Sequence, residues 1–238
     1  MYLITRPRPK LESTKAAFSA AGLNVTVLAT SDIAMEQAAI RALTDHLQQG
    51  RKADRYIVTS PFAVDALTGI PAKLTAQLQF IAVGSSTCSG LAQFSDNVVV
   101  PDTFTSEGIL RLDELSRENC RQVIMIKGEG GRTAIADELS RRGIAVTAYC
   151  VYRRVPLPVP AQTNHWEWQH VKGIIATSET MAQQLWALSP QPQVSALPWL
   201  TVSDRVADAI KRWGATNVSV CTGASDSALI QWVKDFWE

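Results

Sequence analysis

Hydrophobic residues in this chain fall in short β-branched runs, each followed by a segment with helical spacing. The runs predict strands at residues 2–5, 24–28, 55–59, 79–83, 97–100, 122–126, 144–149, 173–177, 199–203 and 217–220. Between them the apolar positions recur every three or four residues. In 9–21, Leu11, Phe18 and Ala21 share a face; in 205–213, Val206, Ile210 and Trp213 do the same. Strand and helix in alternation predict an α/β fold of parallel sheets with right-handed crossovers. Ten strands crowd a single open sheet in a chain of 238 residues, so two five-stranded sheets are expected.

The pattern also repeats. Residues 1–28 open Tyr2-Leu3-Ile4-Thr5-Arg6-Pro7, pass through a helical segment ending at Gly22, and close on Asn24-Val25-Thr26-Val27-Leu28. Residues 122–149 open Val123-Ile124-Met125-Ile126-Lys127-Gly128, end their helix at Gly143, and close on Ala145-Val146-Thr147-Ala148-Tyr149. Tyr56 to Ser60 returns as Ile174 to Ser178, Ile81 to Ser85 as Leu200 to Asp204, and Asn97 to Val100 as Asn217 to Val220, at offsets between 118 and 122. A duplicated α/β unit predicts a ligand cleft between two halves.

Two stretches read as linkers: 29–33, and 151–157 with prolines following at 158 and 160. Alternating prolines predict an extended path with little ladder pairing. If the chain crosses at both, domain 1 is discontinuous, residues 1–30 and 158–238, and domain 2 is 34–150. The expected architecture is two similar α/β/α domains with five-stranded parallel sheets, joined by a two-stranded hinge.

Composition narrows the function. Lys plus Arg number 23 against 22 Asp plus Glu, so there is no electrostatic footprint for nucleic acid or an acidic membrane. No apolar run approaches the ~20 residues needed to span a bilayer, and the opening residues, which read directly as a strand, lead us to expect no signal peptide. The four cysteines lack C-x-x-C spacing and read as free thiols of a cytoplasmic protein.

In parallel α/β sheets, ligands bind at the C-terminal ends of strands. The residues there are Thr5-Arg6-Pro7, Thr59-Ser60-Pro61, Thr177-Ser178-Glu179, Gly84-Ser85-Ser86-Thr87, Ser203-Asp204-Arg205, Ser106-Glu107-Gly108 and Lys127-Gly128-Glu129-Gly130-Gly131-Arg132. Each leads into a helix whose free N–H groups favour anions. Any one of these loops taken singly reads as an ordinary helix cap; their recurrence suggests a site. The substrate-binding candidates are Arg6, Ser60, Gly84, Ser85, Thr87, Ser106, Lys127, Gly128, Arg132, Ser178 and Ser203.

Gly128-x-Gly130-x-x-Thr133 is a degraded dinucleotide fingerprint, and the strand after it ends Ala148-Tyr149-Cys150 without the acid that would bind a ribose. His165 and His170 lack metal-ligand spacing and read as solvated loop residues. The seven tryptophans, all after residue 165, include Trp213 and Trp232 at helical core positions. Tyr152 sits in the second linker beside Arg153 and Arg154. It reads either as hinge packing or as a phenol donor for the site.

These motifs together resemble the uroporphyrinogen-III synthase family. The resemblance rests on Ile4-Thr5-Arg6-Pro7, Val58-Thr59-Ser60 with Ala63-Val64, Ala82-Val83-Gly84 with Thr87, Thr105-Ser106-Glu107-Gly108-Ile109-Leu110, Ile126-Lys127-Gly128-Glu129-Gly130-Gly131-Arg132, Val151-Tyr152 and Ala176-Thr177-Ser178. It covers essentially the whole chain and departs at one loop, where the family's glycine-led Gly-Pro-x-Thr is Val202-Ser203-Asp204-Arg205.

The resemblance implies a cyclising hydro-lyase without metal or organic cofactor. It implies a monomer that closes hydroxymethylbilane into uroporphyrinogen III through a spiro intermediate, for haem, sirohaem and cobalamin synthesis. It also implies that Tyr152 assists the departing hydroxyl as the catalytic residue. The competing reading is a two-domain protein that binds an anionic small molecule without chemistry.

Overall fold

Side chains that alternate along each strand bury both faces of the sheets, which is why the strands read as nearly continuous apolar runs. The computed structural model describes residues 1–49, 53–131 and 133–238. Contacts divide the chain into two units, Met1–Ile33 with Val155–Glu238, and Ala34–Arg154.

The first unit holds strands β1 (Tyr2–Thr5), β2 (Val25–Met35, whose last two residues belong to the second unit), β8 (Gly173–Ala176), β9 (Trp199–Thr201) and β10 (Val218–Val220). Its helices are α1 (Leu11–Ala20), α8 (Glu179–Leu188), α9 (Gln191–Ala196), α10 (Asp204–Trp213) and α11 (Asp226–Phe236). The second unit holds β3 (Arg55–Val58), β4 (Phe80–Ala82), β5 (Val98–Val99), β6 (Gln122–Gly128) and the start of β7 (Ala145–Gln162). Its helices are α2 (Gln37–Gln48), α3 (Pro61–Asp65), α4 (Ala72–Thr75), α5 (Ser85–Leu91), α6 (Ser106–Leu110) and α7 (Ala134–Arg141).

Strand order in the first unit is β10-β9-β8-β1-β2, and in the second β5-β4-β3-β6-β7. The ladders within both are parallel. These are the same doubly wound order entered at different points of the chain, so the tandem repeat folds as two circular permutants. The order reverses between β1 and β8 in one unit, and between β6 and β3 in the other. Such a switch point splays the following loops and leaves a crevice beyond the strand ends.

Packing follows the repeat. On one face of the first unit, Ile4, Val27 and Ile175 meet Leu11 and Phe18 of α1 and Leu229 and Val233 of α11. On the other, Leu3, Ile174 and Trp199 meet Leu185 of α8 and Val206 and Ile210 of α10. In the second unit Ile57, Ile81 and Met125 meet Ile109 of α6 and Ile135 and Leu139 of α7. Each fully buried Leu, Ile or Phe stabilises its unit by about 1.5–3 kcal/mol before chain entropy is counted. The glycines that end the two repeated helices, Gly22 and Gly143, both adopt left-handed φ of 81° and 80°, a conformation that favours glycine at a helix end.

The linker stretches differ from the sequence expectation. β2 runs unbroken to Met35 and β7 to Gln162, so the prolines lie within strand. Pro156, Pro158 and Pro160 stand at alternate positions, where missing N–H groups all fall on one edge. Leu157, Val159 and Ala161 keep their donors on the other edge, and proline's fixed φ suits extended chain.

Candidate functional site

The switch point of the second unit gathers the richest chemistry. Thr59 and Ser60 follow β3, Lys127 and Gly128 end β6, and Tyr152 lies beside them on β7, paired in register with Gly128. Tyr152 is 7% exposed. Its carbonyl accepts the Glu129 N–H at 2.8 Å. Its ring meets Phe62 edge-on, with centroids 5.8 Å apart. Its hydroxyl accepts a hydrogen bond from Ser60 Oγ at 3.0 Å, while Ser60 Oγ caps α3 by accepting the Ala63 N–H at 3.2 Å. Gly128 is a close-approach position. A β-carbon there would sit 2.5 Å from Tyr152 Cζ and 2.8 Å from its hydroxyl. Sequence reading missed Phe62; its place two residues after Ser60, on the first turn of α3, was the available signal.

The next strand end offers backbone donors. Gly84 precedes α5 without a side chain to cap it, so the first-turn N–H groups of Ser85 and its neighbours lack a side-chain acceptor there. Thr87 is turned inward at 3% exposure. Ser106 opens α6 behind Thr105, whose hydroxyl caps Gly108 N–H at 3.0 Å. Arg132 lies outside the described residues.

In the first unit the corresponding positions are Ser178 and Ser203, both half-buried as Ser60 and Gly84 are. Ser178 caps α8 by accepting the Met181 N–H at 3.2 Å. Ser203 precedes α10 with φ −166° and ψ 151° and makes no side-chain cap. Gly84, its counterpart in the repeat, has φ −165° and ψ 167°. Both are extended conformations open to any residue, so the backbone does not require glycine at 203.

Arg6 departs from its expected role. It is 9% exposed, and its guanidinium pairs with Asp226 and donates to the Ala224 carbonyl at 3.1 Å. Asp226 also accepts from Thr14 Oγ1 at 3.1 Å. The arginine is neutralised and fixed inside the unit rather than free for a substrate carboxylate.

The ladders make this a pointed contrast. Arg6 follows the Thr5–Ala176 pair as Lys127 follows the Ile126–Val58 pair, so the two cations are equivalent in the duplication. Asp226 follows the α11 cap Ser225 as Ser106 follows the α6 cap Thr105. In the second unit a serine stands in the acid's position, and Lys127 has no ion-pair partner among the described residues.

His165 and His170 are exposed. Among the described residues no group of three or more His, Cys, Asp or Glu is arranged to hold a metal. No helix among them is long and apolar enough to cross a membrane.

A family model described as uroporphyrinogen-III synthase HemD matches residues 12–231. The chain belongs to the uroporphyrinogen-III synthase family. It is 30% identical over 160 residues to the uroporphyrinogen-III synthase of Escherichia coli (strain K12), an alignment covering 64% of this chain and 65% of that protein. It is 28% identical over 162 residues to the Salmonella typhimurium (strain LT2) enzyme, with the same shares covered. The matched region thus spans 65% of the length of these curated relatives.

Two solved structures share the fold. A mutant uroporphyrinogen III synthase from the extremely thermophilic bacterium Thermus thermophilus superposes with a TM-score of 0.59 at 16% identity, over 100% of this chain and 99% of that one. Uroporphyrinogen-III synthetase from Helicobacter pylori 26695 does so at 0.58 and 12%, over 98% of both chains. Against that family fold, Ser60, Lys127, Gly128 and Tyr152 share the switch point of one unit, with Gly84, Ser85 and Thr87 at its neighbouring strand end. Arg6, Ser178 and Ser203 hold the corresponding places in the other.

Proposed function

We propose that this protein cyclises the linear tetrapyrrole hydroxymethylbilane to uroporphyrinogen III, inverting ring D with loss of water. The family match over residues 12–231 is the observation that carries the proposal. The strand-end chemistry supports it. The reaction needs little from strong acids or bases, because the electron-rich pyrrole itself expels the hydroxymethyl oxygen. It needs conformational control, so that the chain end attacks the substituted carbon of ring D through a spiro intermediate. Positioning alone can supply up to ~7–11 kcal/mol.

In this reading Lys127 and the uncapped turn of α5 hold acetate and propionate carboxylates, and Tyr152 gives its proton to the departing oxygen. The protein acts as a monomer in the cytoplasm and without a cofactor; size-exclusion chromatography checks the first of these. The decisive assay supplies hydroxymethylbilane to the purified protein and separates the product isomers. Isomer III in excess of isomer I, formed faster than spontaneous closure, is the expected result. Isomer I alone at the spontaneous rate would overturn the proposal and leave the binding-protein reading.

A further inference from the structure

We propose that Ser60 is a positioning residue that sets the direction in which Tyr152 presents its proton. The inference rests on the reading of Tyr152 as proton donor to the leaving oxygen. A serine hydroxyl has one proton and can accept as well. Here one of its lone pairs takes the Ala63 N–H at 3.2 Å, and its proton goes to the Tyr152 oxygen at 3.0 Å. Tyr152 therefore meets Ser60 as an acceptor, and its own O–H points away from that bond. Its hydroxyl has no second hydrogen-bond partner among the described residues.

Three further contacts remove the ring's freedom. Gly128 admits it only because a β-carbon is missing, Phe62 packs edge-on against it, and the Glu129 N–H holds its carbonyl. The phenol is thus fixed in place and in donor direction before any substrate arrives, which is how preorganisation acts.

In the step served, the C–O bond breaks with its electron pair going to oxygen. That oxygen takes the Tyr152 proton and leaves as water. The Ser60 O–H then stabilises the phenolate, and the proton lost from carbon after ring closure restores the phenol.

A second serine cap supplies a control. Ser225 caps α11 with the same 3.2 Å acceptance, from the Ala228 N–H, and its side chain makes no hydrogen bond to a tyrosine among the described residues. Ser60→Ala and Ser225→Ala should lose similar stability in urea, but only Ser60→Ala should lose turnover. We expect kcat for hydroxymethylbilane to fall roughly tenfold in Ser60→Ala, the scale of one lost hydrogen bond, with KM changed less than about twofold. Ser60→Thr, which keeps both cap and donor, should restore most of it.

Tyr152→Phe should fall about a hundredfold, and Ser60→Ala should add nothing in that background. Equal kcat losses from Ser60→Ala with and without Tyr152 would overturn the positioning role while leaving Tyr152 as donor. So would a wild-type kcat in Ser60→Ala. A wild-type kcat in Tyr152→Phe would instead overturn the underlying reading of Tyr152.

Discussion

Alanine at Gly128 tests the geometry around Tyr152 most directly. The added carbon would lie 2.5 Å from Tyr152 Cζ, 2.7 Å from Cε2 and 2.8 Å from the hydroxyl oxygen. Carbon atoms pack comfortably at about 3.5 Å or more, so the ring must retreat by about 1 Å. Phe62 stands against it, and the Glu129 N–H holds its backbone. A 3.0 Å bond to Ser60, lengthened by that amount, is no longer a hydrogen bond.

Two costs follow. Overpacking of this kind destabilises by about 1–3 kcal/mol. Misplacing a reacting group by about 1 Å costs turnover on the order of a hundredfold. Gly84→Ala is the stability control, because Gly84 also ends a strand but has open space around a β-carbon and φ −165°. Its unfolding free energy should change by less than ~0.5 kcal/mol. Far-UV circular dichroism in urea is the right probe, since all seven tryptophans lie after residue 165 and fluorescence would report on the other unit. A Gly128→Ala protein with wild-type urea midpoint and wild-type turnover would refute the claim that this glycine makes room for the tyrosine.

Asp226→Ala should lower stability by about 3–5 kcal/mol, followed by tryptophan fluorescence in urea, because it strands the buried Arg6 guanidinium; a loss under ~1 kcal/mol would mean water screens the pair. Ser106→Asp recreates beside α6 the acid that neutralises Arg6 in the other unit, and should raise KM for hydroxymethylbilane on the order of tenfold with a smaller change in kcat; an unchanged KM would count against Lys127 as the anion contact. Burial first, then the hydrogen bond to Glu238 at 2.6 Å, raise the Tyr2 phenol well above its ordinary 10.0. Folding therefore favours the protonated phenol, and that stability is present below about pH 10 and lost as pH rises above it. Tyr2→Phe should flatten the alkaline limb of a stability–pH profile, and an unaltered limb would refute this. Of the four free cysteines, Cys120 and Cys221 are buried, and burial raises the Cys120 thiol. A thiol reagent at about pH 8 should modify Cys88 and Cys150 first and reach the buried pair only in denaturant, so equal rates would contradict the packing.

Periodicity located each of the ten strands among the described residues, and carried the centres of all but β2 and β7. It did not carry the ends of β2 and β7. In β7 the prolines suppress the strand signal, and their alternation, with three N–H groups missing on one edge, lets the chain remain strand, while in β2 the polar Thr30-Ser31-Asp32 interrupts the apolar run. The short helices α4 and α9 are too brief for a helical period to stand out. At the candidate site, the strand-end rule named loops that do follow the strands, yet it could not say which side chains are free. Arg6 reads as a cation ready for an anion until its counter-charge is seen 220 residues further along. The duplication did hold a clue, because the repeat places Asp226 opposite Ser106 and so shows that one half carries an acid the other lacks.

That difference bears on how a duplicated fold divides its work. Both units inherit a cation at the end of the strand beside the central one, and a hydroxyl capping the helix after the central strand, in Arg6 with Ser178 and in Lys127 with Ser60. A buried cation must be neutralised or remain costly, and the first unit meets this with Asp226 and Thr14, closing its position to outside anions. The second unit keeps Lys127 half-buried, where solvent lowers the cost of leaving it unpaired. It also places a tyrosine against a glycine at the same switch point, and gives the capping serine a second partner. Divergence of two copies thus goes furthest where an unpaired charge is tolerated. The half whose strand ends are less internally satisfied is the half that keeps a cation unpaired among the described residues, as the proposed role of Lys127 requires.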